Sequence, residues 1–501
     1  MDRELKERIE GFMESCCRRN ETVAHFAKEE GSLRDFLKIQ AGKNRANKKL
    51  TPLLPKEDAL KALRQYLESR VSADIADGCI RSWASGAIAT ADHHGGFYSA
   101  QAFQGDLLFR QLLREEGMRE EAPDAAVREA IPYLTTSQVD LDNSTFARGI
   151  LAYGSETGRQ QFSLMPKSRE REMVACSRAY NKDELARVLQ TICKKKELKP
   201  MADIVSEIYG RPELLGMERY ADQLFAVGLE LGNRALAGFA SEGTYAPSLC
   251  YVEMEEALRP LFLKELGEPS SILYRMFFDP ALRKALDEVK TEDGITLSCL
   301  LFMGSDARGR KVHVHLAPDG SLEGISIKGE HFTYGNSVEE IRELMEERKL
   351  LVSGYAAALM LVFERGFTWY GGVFQSVYLS KWKELTCKVL RMAGMEEEAD
   401  RIAAYDCTGY ISGPVYALNE FTVPAEDEAG ERYGTAAGPL EFIQMRPDEG
   451  SFDRWMDTGT GESHYRGLFE IYYDLHSPEG REEGWYRTIA AWCGERIDRT
   501  R

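Results

Sequence analysis

The chain has 501 residues, 43% hydrophobic and 10% aromatic, the composition of a packed globular protein long enough to fold without disulfides or structural metal. Lys and Arg number 64 against 81 Asp and Glu, and the formal net charge of −17 repels phosphate backbones and anionic headgroups, which sets aside nucleic acid and membrane as partners. Ten cysteines without a Cys-x-x-Cys pair, and a charged start from Met1 to Glu7, lead to the expectation of free thiols and a soluble, cytoplasmic location.

In chain order, Leu5, Ile9, Phe12 and Met13 recur at helical spacing, as do Leu60, Leu63, Tyr66 and Leu67. Ala87 to Ala91 reads as a buried strand and Asp92 to Gly96 as the loop that leaves it; Gln104 to Leu113 returns to helical spacing. Ile131 to Leu134 is a strand candidate that Pro132 confines to an edge or a strand start, followed by a polar loop from Thr135 to Thr145. Further strands fit within 158–180, and helices over 182–240 and 252–290. Leu297 to Met303 and Lys311 to Leu316 flank a turn at Gly304 to Gly309, a hairpin pattern. Ser337 with Glu340 forms a capping box opening a helix. Helices run on to about 404, interrupted by an aromatic, glycine-rich stretch from Arg365 to Tyr378, and the last hundred residues are rich in turns and acids.

These elements predict an α+β, multi-domain protein of mixed helices and antiparallel β hairpins. Five segments are expected: helical 1–70, an α/β segment 71–200, helical 201–290, hairpin plus helices 291–420, and a turn-rich 421–501.

The densest run of chemistry is Asp92-His93-His94-Gly95-Gly96, directly after the first strand. Histidine is the side chain best suited to moving protons near neutral pH, a neighbouring carboxylate can orient it, and glycines let backbone approach a ligand. His94, His93 and Asp92 are therefore the candidate catalytic residues, with His94 first. Gln101, Gln104, Asn143, Arg148 and Gln375 are the candidate substrate-binding residues, offering amides and a guanidinium to a polar molecule. His313 and His315 share one face of a strand and can chelate a metal, with a third ligand from His93, His94, Glu253 or Glu255.

The Asp-His-His triplet resembles the namesake motif of the DHH phosphoesterases, but residues 1–91 lack the Asp-x-Asp metal motifs those enzymes carry upstream. Gly95 stands where DHHC-type palmitoyltransferases need cysteine. Tyr98 and Ser99 stand where the His-His-x-x-x-Asp-Gly motif of condensation domains needs Asp and Gly. The chain is assigned to none of these. It also lacks a P-loop, a Gly-x-Gly-x-x-Gly after a strand and a Gly-x-Ser-x-Gly elbow, so the sequence identifies no cofactor. The leading expectation is an enzyme of small-molecule metabolism, with His94 as general acid or base in amide or ester chemistry on a polar, amino-acid-like substrate. The alternatives are a metal-dependent hydrolase with Asp92, His93 or His94 as ligands, and a non-catalytic interaction protein.

Overall fold

Fourteen strands and many helices alternate along the chain in the computed structural model, which describes residues 3–20, 23–24, 31–90, 100–116, 128–142, 146–154, 158–240, 245–291, 293–412, 422–426, 432–457, 468–485 and 488–489. The strands are β1 (Ala87–Ala89), β2 (Ala130–Thr135), β3 (Gly149–Gly154), β4 (Gly158–Ser163), β5 (Ser248–Glu253), β6 (Phe302–Ser305) and β7 (Lys311–Leu316). They continue with β8 (Leu322–Ser326), β9 (His331–Tyr334), β10 (Leu350–Val352), β11 (Thr368–Gly372), β12 (Tyr410–Ser412), β13 (Thr422–Glu426) and β14 (Arg432–Ala436). Helices combine with parallel and antiparallel sheets, an α+β molecule.

The central sheet has the order β12-β11-β1-β2-β5, and every described pairing in it is parallel. The chain starts in the middle, moves outward to β5 on one side, then returns to build β11 and β12 on the other. This is the strand order of doubly wound sheets, with its reversal point between β1 and β11. Both faces are covered. Ala87, Ala89, Ile131, Tyr133, Leu249 and Tyr370 point into one core, against helices Leu33–Asn47, Ala100–Glu115 and Tyr220–Ala235. Ile88, Ala130, Leu134, Cys250, Val252 and Trp369 point into the other, against helices Ala73–Ala84, Met254–Leu266 and Val373–Met392. The alternation along each strand is the two-residue period of the pleat, with apolar side chains on both faces because neither meets water.

Pro132 does not place β2 at an edge: the strand lies between β1 and β5. The reason is the brevity of β1. Its ladder to β2 is confined to Ala89 opposite Tyr133, so the proline that cannot donate sits just beyond that contact.

The second sheet, β10-β6-β7-β8-β9, is antiparallel throughout and lies within the long connection from β5 to β11. Its inner residues Phe302, Val312, Val314, Leu316, Leu322 and Val352 join the core of helix Met254–Leu266. The capping box at Ser337 and Glu340 forms as the sequence predicts, opening helix Val338–Glu346. Among the described residues no helix is long and apolar enough to cross a membrane, and the nine cysteines are all free thiols.

Candidate functional site

All five parallel strands end on one edge, and two polar clusters lie along it. The first is at the reversal point. There β1 and β11 run side by side but hand the chain to opposite sides, the position at which doubly wound sheets commonly take their ligands. The chain leaves β1 through Thr90, whose N–H continues the ladder to the Tyr370 carbonyl at 2.8 Å. The Thr90 hydroxyl donates to Oε1 of Gln375 at 2.5 Å, and the Tyr378 hydroxyl reaches the same oxygen at 3.4 Å. Gln375 stands in the first turn of helix Val373–Met392 and is 5% exposed. With its oxygen held, Nε2 is buried and has no hydrogen-bond partner among the described residues. Gly371 permits this arrangement, because a Cβ there would lie 2.7 Å from the Thr90 hydroxyl. Gly372 begins the helix and no side chain caps it.

The second cluster closes the ends of β2 and β5, where Thr135 stands opposite Glu253. Glu253 and Glu255 are both buried. Arg219 grips Glu253 with Nη2 at 2.7 and 3.0 Å from its two oxygens. The Ser137 hydroxyl lies 3.0 Å from Glu253 Oε1 and 2.7 Å from Glu255 Oε2. Oε1 of Glu255 accepts from the Thr136 hydroxyl at 2.7 Å and from the Ser137 N–H at 3.0 Å. A hydroxyl has one hydrogen, so Ser137 can donate to only one carboxylate. Both contacts are hydrogen bonds at once only when one of the two carboxyls carries a proton and donates to Ser137; Arg219 holds Glu253 in its ionised form, which leaves the proton with Glu255. Burial, followed by the charge of Glu253, pushes the Glu255 carboxyl up to about 7. Burial also raises Glu253, against the pull of Arg219.

Of the candidates from sequence, Gln375 is the one whose described side chain lies at the reversal point. Asp92, His93, His94 and Asn143 lie outside the described residues; the first three follow Thr90 by two to four positions. Gln101 belongs to helix Ala100–Glu115, with its side chain outside the description, while Gln104 is buried and donates to the Ala437 carbonyl at 3.1 Å. Arg148 packs over the Phe146 ring at 5.6 Å, with Nη2 3.7 Å from Asp142. Phe146 itself holds φ at 66°, a left-handed conformation that a phenylalanine rarely adopts.

His313 and His315 do share one face of β7, but His315 Nε2 is 2.8 Å from Asp287 Oδ1, and Glu253 and Glu255 are committed to Ser137, Thr136 and Arg219. Among the described residues no group of three or more His, Cys, Asp and Glu is placed to hold a metal. The sequence reading passed over Thr90, Ser137, Glu255 as a proton carrier, and Arg219. The available signal was Leu249-Cys-Tyr-Val252, a short apolar run ending on an acid, which marks a buried strand rather than the start of a helix.

Fold and edge together define a doubly wound parallel sheet joined to an antiparallel one, with polar side chains at the reversal point. Among protein-family models, curated proteins and solved structures, none matches the chain.

Proposed function

We propose that the chain is an enzyme of small-molecule metabolism working in the crevice between β1 and β11. His94, oriented by Asp92, acts as general acid or base in the formation or cleavage of an amide or ester, and Gln375 binds the polar substrate. The observation that supports this most is the hydrogen bond from Thr90 to Gln375. It ties the residue that leads into Asp92-His93-His94 to a buried amide whose nitrogen has no partner among the described residues. A buried donor left unmade costs about 1–3 kcal/mol, a cost a ligand can remove.

The test is turnover of a library of amino-acid amides and esters, read by mass spectrometry, for the wild type and His94→Ala. The variant should melt with the wild type and lose about a hundredfold in rate, the scale of acid–base contributions. Full activity in His94→Ala overturns the assignment. Elemental analysis showing one metal ion per chain, lost in the same variant, replaces it with metal-activated water.

A further inference from the structure

We infer that the start of helix Val373–Met392 is a binding site for an oxyanion, a carboxylate or phosphate group carried by the substrate. The inference rests on the reading of the crevice above and adds what the substrate must present there. The helix has 20 residues and no side-chain cap among the described residues, so its first N–H groups lack intrahelical acceptors and stand at the positive end of the helix dipole.

The second observation is Gln375. Its oxygen is taken by Thr90, which leaves Nε2, buried and without a partner among the described residues, as a donor at the same helix start. The Gln375 amide lies over Gly371, where a Cβ would come within 2.7 Å of its carbonyl carbon. Amide N–H groups without a facing acceptor suit an acceptor-only group, and carboxylate and phosphate are the common ones. An apolar group would leave Nε2 as unpartnered as it is now.

The full-length protein is titrated with potassium phosphate and, separately, sodium succinate, with ionic strength held by chloride. Melting temperature and hydrogen–deuterium exchange over residues 371–378 are the readouts. Saturable stabilisation is expected, with slowed exchange at the helix start, and whichever anion acts at lower concentration identifies the group.

Gln375→Glu keeps an oxygen for Thr90 and puts negative charge where the donor was. It should weaken anion binding about tenfold or more, the loss of a charge-assisted bond. His94→Ala should bind the anion like the wild type, so the anion site and the acid–base role fail separately. Stabilisation that is equal in Gln375→Glu and wild type overturns the inference. If Gln375→Glu does not fold, exchange over 371–378 in the wild type decides: unchanged exchange at saturating phosphate and succinate also overturns it.

Discussion

The carboxyl edge of the parallel sheet and the outer face of the antiparallel sheet both collect polar side chains, and they treat them in opposite ways. β2 and β5 are buried at every position, so a polar group at their ends has no water to turn to. It must find a partner, and the Arg219–Glu253–Ser137–Glu255 chain is the result. β7 alternates, with Val312, Val314 and Leu316 inward and Lys311, His313 and His315 outward. Those histidines are solvated at little cost and need no partner to be tolerated. Side-chain chemistry alone does not mark a site; the same residue types become consequential where the fold withholds solvent from them.

Three substitutions sharpen or break that contrast. Arg219→Met, which strands the buried Glu253 carboxylate, should cost about 3–5 kcal/mol in urea denaturation. A cost below ~1 kcal/mol would mean the edge tolerates an unpaired charge. Glu255→Gln tests the proton. The folded carboxyl titrates at about 7, above the 4.5 of a free glutamate, so its contribution to stability is full below about 4.5 and is lost as pH rises through 7. The glutamine cannot titrate, so between pH 5 and 8 the variant should gain up to about 3 kcal/mol on the wild type. Parallel pH profiles for the two proteins would show that Glu255 is ionised throughout. His315→Ala breaks a hydrogen-bonded contact with Asp287 whose members are 31% and 36% exposed, and should shift stability by at most about 1 kcal/mol. A loss of ~3 kcal/mol would place that sheet face under the same rules as the parallel edge.

Local periodicity made parts of this fold legible. The N-terminal helices, the hairpin β6–β7 with His313 and His315 on one face, and the capping box at Ser337 all follow from spacing or turn residues within a few positions. The parallel sheet was harder to read, because strands buried on both faces lack the alternation that identifies a strand. Most of β5 falls in the unassigned gap between the helical stretches expected over 182–240 and 252–290, and β11 looks like a glycine-rich interruption between helices. β1 was recognisable, which is why the segment after it could be placed at a strand end. Gln375 was nominated for its setting among aromatics and glycines. Its hydrogen bond to Thr90 depends on a strand pairing that spans most of the chain, and no local pattern announces that.

That pairing has a consequence for how the protein is made. Ala87 lies beside Thr368, so the middle of the sheet is closed by two strands some 280 residues apart. During synthesis β1, β2 and β5 are complete long before β11 leaves the ribosome, and until then one side of β1 is an open, apolar edge. Such an edge is a template for pairing with another nascent chain, and closure over so long a loop is slow. The antiparallel sheet, whose neighbouring strands are mostly consecutive, can form while that wait continues. Yield of soluble protein should therefore depend on chaperone supply and translation temperature, with truncations before residue 368 aggregating most.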